Sequence, residues 1–129
     1  MLKVVAAIIF NDNNEVYICQ RPLNKQLGGY YEFPGGKVEN GETELEALSR
    51  ELKEELTGVV EIKQHLSTYI YDYPEFSIEL CCYQCMLFSS TLKSKEHIDE
   101  KFISVDQFDS YKMAPADIKV IELIRSMHE

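Results

Sequence analysis

The sequence GGKVENGETELEALSRELKEELTGV, residues 35–59, places two adjacent glycines shortly before a predicted helix. We predict that the helix begins at Thr43, because Thr43 and Glu46 have the spacing of a capping box, in which each side chain accepts a hydrogen bond from a free backbone N–H. Apolar residues at helical spacing predict one stripe facing a core, formed by Leu45, Leu48, Leu52 and Leu56. The helix is therefore expected to pack along this stripe.

Three glutamates, Glu51, Glu54 and Glu55, are expected on a neighbouring face of this helix that spans about 100°. Like charges at such spacing repel one another by roughly 0.2–0.5 kcal/mol per pair, so the cluster favours bound cations. Mg²⁺ suits it, because this ion binds one or two carboxylates and completes its octahedron with water and substrate phosphate. Gly35 and Gly36 would allow the backbone to approach the ion closely. The alternative interpretation is a solvated acidic face beside ordinary turn glycines.

Length and composition indicate one compact domain that comprises residues 1–129, since 45% of the residues are hydrophobic. A net charge of −9 argues against a nucleic-acid polymer as partner, because such polymers are bound mainly through lysine and arginine. The first apolar run is too short to span a membrane, so we expect neither a signal peptide nor a membrane partner. Cytoplasmic localisation is the resulting expectation.

The cysteines are predicted to be buried reduced thiols rather than a disulfide or zinc framework. Cys81 and Cys82 are adjacent in a strand-like run and should point to opposite faces. The histidines are widely scattered along the chain, which makes a metal site built from histidine and cysteine a poor interpretation.

The remaining pattern predicts strands on both sides of the helix and a second helix at the end of the chain. A hairpin is expected from residues 2–10 and 15–20, joined by the turn at 11–14. Further strands are expected at 60–71, 76–88 and 101–105, a helical turn at 106–111, and a last helix with the stripe Val120, Ile121, Ile124 and Met127. Together these elements predict an α/β fold, an α/β/α sandwich with a mixed β-sheet between helices.

The spacing of Gly36, Glu42 and the run from Arg50 to Glu55 resembles the Nudix box, the signature of hydrolases that cleave nucleoside diphosphates linked to another moiety. The family pattern places its last glycine one position before Gly58, so we expect a shifted helix end with Gly58 as a left-handed cap. The chain is most similar to the small MutT-type nucleoside triphosphate pyrophosphohydrolases, which include bacterial CTP pyrophosphohydrolases. Supporting stretches are VVAAIIF (4–10), CQRP (19–22), YEFPGGKVENGE (31–42) and APAD (114–117). The resemblance also implies an α/β/α sandwich.

This resemblance implies Mg²⁺, with Mn²⁺ as a substitute, bound by Glu51, Glu54, Glu55 and the backbone carbonyl of Gly36. It further implies that Arg50 orients a neighbouring carboxylate through a charge-assisted hydrogen bond, with Glu42 as its partner. An ordinary surface ion pair is the alternative for Arg50.

A fourth acid often completes the site of MutT-type enzymes, and Glu96 matches its position best. Asp99 and Glu100 are the competing candidates. The implied reaction is attack of an activated water on the β-phosphorus, which yields a nucleoside monophosphate and pyrophosphate. Glu51 and Glu96 both remain candidates for the general base.

By position, the residues that resemble the nucleotide-binding parts of these enzymes are Arg21, Glu32, Tyr73 to Phe76 and Asp117. Phe33 and Tyr73 are candidates for stacking on a base, although aromatic residues beside strands usually belong to a core. An ionised Asp117 would only accept hydrogen bonds, which suits the exocyclic amine of cytosine or adenine and favours CTP, dCTP or a modified pyrimidine. Alternatively, Asp117 stabilises the first turn of the last helix.

Three other functions remain open at this point. An oxidised purine triphosphate such as 8-oxo-dGTP or, with weaker support from Pro74, ADP-ribose could be the substrate. A Nudix domain that binds nucleotides without hydrolysis is disfavoured, because all three acids of the box are present. The expected partner is a small nucleotide, and the chain is expected to be a monomer or a homodimer.

Overall fold

A computed structural model describes residues 1–128 and contains nine strands and two α-helices within them. The strands are β1 (Leu2–Phe10), β2 (Val16–Gln20), β3 (Tyr31–Glu32), β4 (Gly35–Lys37), β5 (Leu56–Thr57), β6 (Val60–Asp72), β7 (Ser77–Leu87), β8 (Lys93–Ser94) and β9 (Asp99–Ile103). The helices are α1 (Glu44–Glu55) and α2 (Ile118–Met127), and 3₁₀ turns cover Val105–Ser110 and Pro115–Asp117.

Strand β1 is the centre of a mixed seven-stranded sheet. Along one edge it runs parallel to β7 for its whole length, from the pair Leu2–Ile78 to the pair Phe10–Met86. Along the other edge it is antiparallel to β4 in its first half and to β2 at Phe10–Val16. The predicted hairpin of β1 and β2 is therefore confirmed, and β4 carries the glycine pair directly beside the central strand.

Each face of the sheet is covered by one of the helices, as the alternation of side chains along β1 shows. One core contains Val5, Ala7 and Ile9 with Leu48 and Leu52 of α1. The other core contains Ala6, Ile8 and Phe10 with Val120, Ile121 and Ile124 of α2. The α/β/α sandwich is confirmed.

The cysteines behave as the sequence predicts. Cys81 belongs to the core beneath α1 and Cys82 to the core beneath α2, so their side chains do point to opposite faces. All four thiols are buried and free. Within residues 1–128 no helix is long and apolar enough to cross a membrane.

Four residues differ from the sequence prediction, and two of them lie at the end of α1. Leu56 is buried but extended, because it leaves the helix to pair with Ser94 of β8. Gly58 follows this short strand and is not a helix cap; its φ is +139°, and a Cβ there would lie 2.7 Å from the carbonyl oxygen of Thr91. Leu45 is 51% exposed, and in α2 Met127 is 42% exposed, so both apolar stripes are shorter than predicted.

Candidate active site

The start of α1 is fixed by the predicted capping box. The Glu46 amide donates to Thr43 Oγ1 at 3.1 Å, and the Thr43 amide donates to Glu46 Oε1 at 2.9 Å. Leu48 and Leu52 are buried against the sheet, which sets the rotation of the helix. The three glutamates of the box therefore have defined directions relative to the glycine turn.

The glycine turn lies against α1 because β4 pairs with β1, with Gly36 opposite Val5. A Cβ on Gly36 would lie only 2.4 Å from the carboxyl carbon of Glu51, so only glycine permits this approach. The Gly35 amide donates to Glu55 Oε2 at 3.2 Å. Two of the predicted ligand carboxylates thus lie beside the turn.

The three glutamates occupy different environments. Glu55 is buried, and burial together with the negative charge of Glu51 raises its pKa to about 8. Burial also raises the pKa of Glu51, although Arg50 opposes the increase. The Glu54 side chain is 57% exposed and lies at the rim, where its carboxylate accepts from Arg50 at 3.3 Å.

Arg50 joins several parts of the box. It donates to both oxygens of Glu42, at 2.7 and 2.9 Å, and this fork lowers the pKa of Glu42 to about 2. The same guanidinium donates to Glu51 Oε1 at 2.8 Å and to the Lys37 carbonyl at 2.9 Å. Arg50 therefore has more partners than an ordinary surface ion pair provides.

Glu96 lies on the loop between β8 and β9, and its side chain is exposed. Its negative charge contributes to the raised pKa values of Glu51 and Glu55, which places it near both. The two competing acids are engaged elsewhere: Asp99 accepts from the Tyr31 hydroxyl, and Glu100 accepts from Tyr17 at 2.8 Å and from the Ser94 amide at 2.7 Å.

A cleft of about 330 Å³ connects the glycine turn with the predicted nucleotide-binding residues. Its lining includes Arg21, Glu32, Phe33, Gly36, Glu55, Tyr73 and Asp117. The structure therefore brings the two predicted halves of the site into one space. Glu51, Glu54 and Glu96 are outside this lining, on the side of α1.

Asp117 is 6% exposed at the start of α2, and within residues 1–128 its side chain makes no capping hydrogen bond to that helix. The alternative of a structural cap is therefore wrong. Burial and the nearby Glu32 raise the pKa of Asp117 to about 8, against an opposing contribution from the Phe33 N–H. The raised pKa favours the protonated carboxyl, which donates a hydrogen bond as well as accepting one, whereas the sequence prediction assumed an ionised, acceptor-only group.

Phe33 and Tyr73, the two candidates for stacking on a base, differ in their burial and packing. Phe33 is 4% exposed, and its ring packs edge-on against Phe108 at 6.0 Å, so it belongs to the core that backs the cleft and the stacking prediction is wrong for it. Tyr73 is half-buried, stacks on Phe76 at 5.1 Å and accepts from the Ala116 amide at 3.2 Å. Its ring thus lines the cleft in a fixed position.

Sequence reasoning missed the contact between Glu32 and His97. Nε2 of His97 lies 2.9 Å from Glu32 Oε2, and Nδ1 lies 2.7 Å from Ser94 Oγ. The two partners are 65 residues apart, and the only available signal was that His97 follows Glu96.

A second acidic group does not include the three box glutamates Glu51, Glu54 and Glu55. Ligand atoms of Glu44, Glu79 and Cys81 lie within 4.8 Å of one another. Lys3 Nζ lies 2.8 Å from Glu44 Oε2, so a lysine already supplies the cation there. This group is therefore a charge-paired cluster and not the predicted metal site.

The residues around Gly36 fit a hard divalent cation. Carboxylate and carbonyl oxygens are the ligands that Mg²⁺ and Mn²⁺ prefer. The Glu51 carboxylate is packed against Gly36, and Glu55 is buried beside it. Because burial and mutual repulsion penalise both charges, a bound cation would offset that cost.

A family model described as a NUDIX domain matches residues 5–123 of the chain. The chain belongs to the Nudix hydrolase family. The CTP pyrophosphohydrolase of Escherichia coli K12 is 34% identical to this Nudix hydrolase over 127 residues, which cover 98% of this chain and 93% of the relative. The 8-oxo-dGTP diphosphatase of the same organism is 31% identical over 129 residues, 98% of each chain.

Solved structures confirm the Nudix fold. The solution structure of the E. coli ORF135 protein has a TM-score of 0.81 at 33% identity and covers 99% of this chain and 91% of its own. The solution structure of MutT from methicillin-resistant Staphylococcus aureus 252 has a TM-score of 0.78 at 35% identity and covers 98% and 96%.

Proposed function

We propose that this Nudix hydrolase is a Mg²⁺-dependent pyrophosphohydrolase that converts CTP or dCTP to the nucleoside monophosphate and pyrophosphate. The observation that carries this proposal is the single cleft that joins Asp117 to Gly36 and Glu55. A nucleotide whose base lies against Asp117 would direct its phosphates toward the acidic side of α1. The similarity to a CTP pyrophosphohydrolase over nearly the full length supports the same conclusion.

The residues that would hold the cation are Glu51, Glu54, Glu55 and the carbonyl of Gly36. Bound there, Mg²⁺ would supply charge neutralisation for the phosphates and a lowered pKa for water. Arg50 holds the Glu51 carboxylate at 2.8 Å and so fixes its direction toward the turn. Glu96 and Glu51 remain the two candidates for the general base that would accept the proton of the attacking water.

Asp117 provides the basis for choosing cytosine. A protonated carboxyl presents a donor and an acceptor side by side. These match N3, which accepts, and the exocyclic N4 amine, which donates, on the edge of cytosine. The raised pKa of Asp117, about 8, favours this protonated form in the free protein.

Hydrolysis of 8-oxo-dGTP is the second candidate function. A protonated carboxyl can also pair with the N1–H and O6 of a guanine ring. An 8-oxo-dGTP diphosphatase of Proteus vulgaris is 39% identical over 95 residues, which cover 74% of this chain. This similarity is the observation that favours the second candidate.

The deciding experiment is a screen of the common ribo- and deoxynucleoside triphosphates, 8-oxo-dGTP, ADP-ribose and dinucleotides with Mg²⁺, with every product identified. We expect CTP or dCTP to have the highest kcat/KM and to give monophosphate and pyrophosphate. Preference for 8-oxo-dGTP would establish the second candidate. Release of orthophosphate would refute attack at the β-phosphorus, and nucleotide binding without any product would refute the enzyme.

A further inference from the structure

The His97 side chain connects two elements that carry proposed site residues. It is 4% exposed and lies between Glu32 of β3 and Ser94 at the end of β8. Glu32 lines the nucleotide cleft, and Glu96 belongs to the loop that Ser94 begins. One imidazole therefore joins the cleft to the loop with the candidate base.

The hydrogen bonds around Ser94 determine which ring nitrogen carries the proton. Ser94 Oγ accepts from the amide of Glu96 at 3.3 Å and from the amide of His97 at 3.1 Å. A hydroxyl has two lone pairs and one hydrogen, so its hydrogen remains for Nδ1 of His97, 2.7 Å away. The neutral ring then carries its own hydrogen on Nε2 and donates it to Glu32 Oε2 at 2.9 Å.

Glu32 is held from two sides. One terminal nitrogen of Arg21 donates to both of its oxygens, at 3.2 and 3.3 Å, and His97 donates from the loop side. Ser94 is itself fixed, because its amide donates to Glu100 at 2.7 Å. The network thus runs without a gap from the loop backbone to the carboxylate in the cleft.

We propose that His97, as the neutral Nε2–H tautomer, is a positioning residue that holds the Glu32 carboxylate in the nucleotide cleft and ties it to the loop that carries Glu96. The effect on turnover rests on the proposed function. The tautomer and the bridge rest on the contacts alone, and they can be tested without a substrate.

The first test is long-range ¹H–¹⁵N NMR of the ring nitrogens in the free protein at a pH of about 8, above the usual histidine pKa. The signals of His97 are assigned as those that disappear in His97→Gln. We expect the hydrogen on Nε2 and an unprotonated Nδ1 that accepts a hydrogen bond. A ring with its hydrogen on Nδ1, or one that exchanges freely between tautomers, would overturn the proposal whether or not the protein is an enzyme.

The second test separates the two contacts of the ring. A glutamine at position 97 can place an amide N–H near Nε2 and keep the bond to Glu32, whereas an asparagine reaches only the position of Nδ1 and keeps the bond to Ser94. His97→Asn is expected to raise KM about tenfold with kcat changed less than about twofold, as for the loss of one hydrogen bond to a charged group. His97→Gln should keep both constants within about twofold of wild type.

The substrate in this test is the triphosphate that the wild-type protein hydrolyses fastest. The matched control is His65→Asn, at an exposed position of β6. Equal loss in the asparagine and glutamine variants, or no loss in either, would overturn the positioning role. If the wild-type protein hydrolyses no nucleotide, the proposed function fails, while the NMR result still decides the tautomer and the bridge.

Discussion

Arg50 holds Glu42 through two nitrogens, Nε and one terminal nitrogen, at 2.7 and 2.9 Å. This fork fixes the plane of the guanidinium and leaves its other terminal nitrogen directed at Glu51 Oε1, 2.8 Å away. A lysine keeps the charge but has no planar fork. Arg50→Lys should therefore lower kcat/KM about 10- to 100-fold, the range for residues that orient metal ligands, and leave the protein folded.

Steady-state kinetics with Mg²⁺ and circular dichroism measure this prediction. Arg125→Lys is the matched control, because Arg125 pairs with the exposed Asp109 at 2.9 Å away from the cleft. Activity of Arg50→Lys equal to that of the control would reduce Arg50 to a surface ion pair.

Glu54→Gln should reduce Mg²⁺-dependent hydrolysis by about 100-fold or more, because a neutral amide removes one ligand charge from the cation site. Its effect on folding should be small, since the Glu54 side chain is 57% exposed. Calorimetric titration with Mn²⁺ should show weakened binding in parallel with the lost turnover. Glu122→Gln, at an exposed position of α2, makes the same charge change and should alter neither turnover nor Mn²⁺ binding. Unchanged turnover in Glu54→Gln would remove Glu54 from the metal site.

Gly36→Ala tests the close approach of the turn to α1. The added Cβ would lie 2.4 Å from the Glu51 carboxyl carbon, and the flexible end of that side chain has to move. We expect hydrolysis to fall about tenfold or more while the melting temperature changes little, because the displaced group is a side-chain terminus and not backbone. A variant that melts far below wild type would instead assign Gly36 to the stability of the sheet.

Asp117→Asn should change the pH dependence of stability. The folded pKa of Asp117, about 8, lies above the unfolded value of about 3.9, so ionisation is costly in the folded protein. This cost is absent below the unfolded pKa, grows as the pH rises toward 8 and is constant above it. Urea unfolding at several pH values should show that wild type loses stability over this window by up to about 1.4 kcal/mol per pH unit more than the variant.

Glu55 titrates in the same direction in both proteins, so the difference between the two pH profiles isolates Asp117. Parallel profiles would show that Asp117 is ionised in the folded protein without penalty.

A second substitution at this position tests base selection. If Asp117 pairs with the base as a protonated carboxyl, Asp117→Ala should change the ratio of kcat/KM between CTP and the other triphosphates about tenfold, because the matched donor and acceptor are both removed, whereas Asp117→Asn keeps one of each and should change the ratio little. Maximal rates should change less than this ratio. Equal losses for every base would assign Asp117 to the shape of the cleft.

Much of the scaffold was predictable because its signals are local. Thr43 and Glu46 are three residues apart and both mark the start of α1, and the alternation along β1 predicts two buried faces. The end of α1 was not predictable, since Leu56 leaves the helix to pair with Ser94, which is distant in the sequence. The exposure of Leu45 has a similar cause, as helical spacing alone does not show where the sheet beneath the helix ends.

The residues of the candidate site also differ in whether their positions follow from local sequence signals. The box acids follow from spacing within one helix, whereas the environment of Asp117 depends on burial and on Glu32, which comes from another strand. The bond between His97 and Glu32 crosses 65 residues and has no pattern in the sequence. Contacts between residues that are distant in the sequence determine the protonation of the side chains that line the cleft. Such contacts form only in the folded protein.

The pairing of β4 with β1 affects the order in which parts of the site unfold. Gly36 is paired with Val5 of the central strand, and the Gly35 amide donates to Glu55 Oε2 of α1, so these two amides should exchange with deuterium only when β4 separates from β1 and α1. The Glu96 loop is secured mainly through Ser94 and His97 and can open at lower cost. Heating should therefore loosen the loop first, while the glycine turn persists until the whole molecule unfolds.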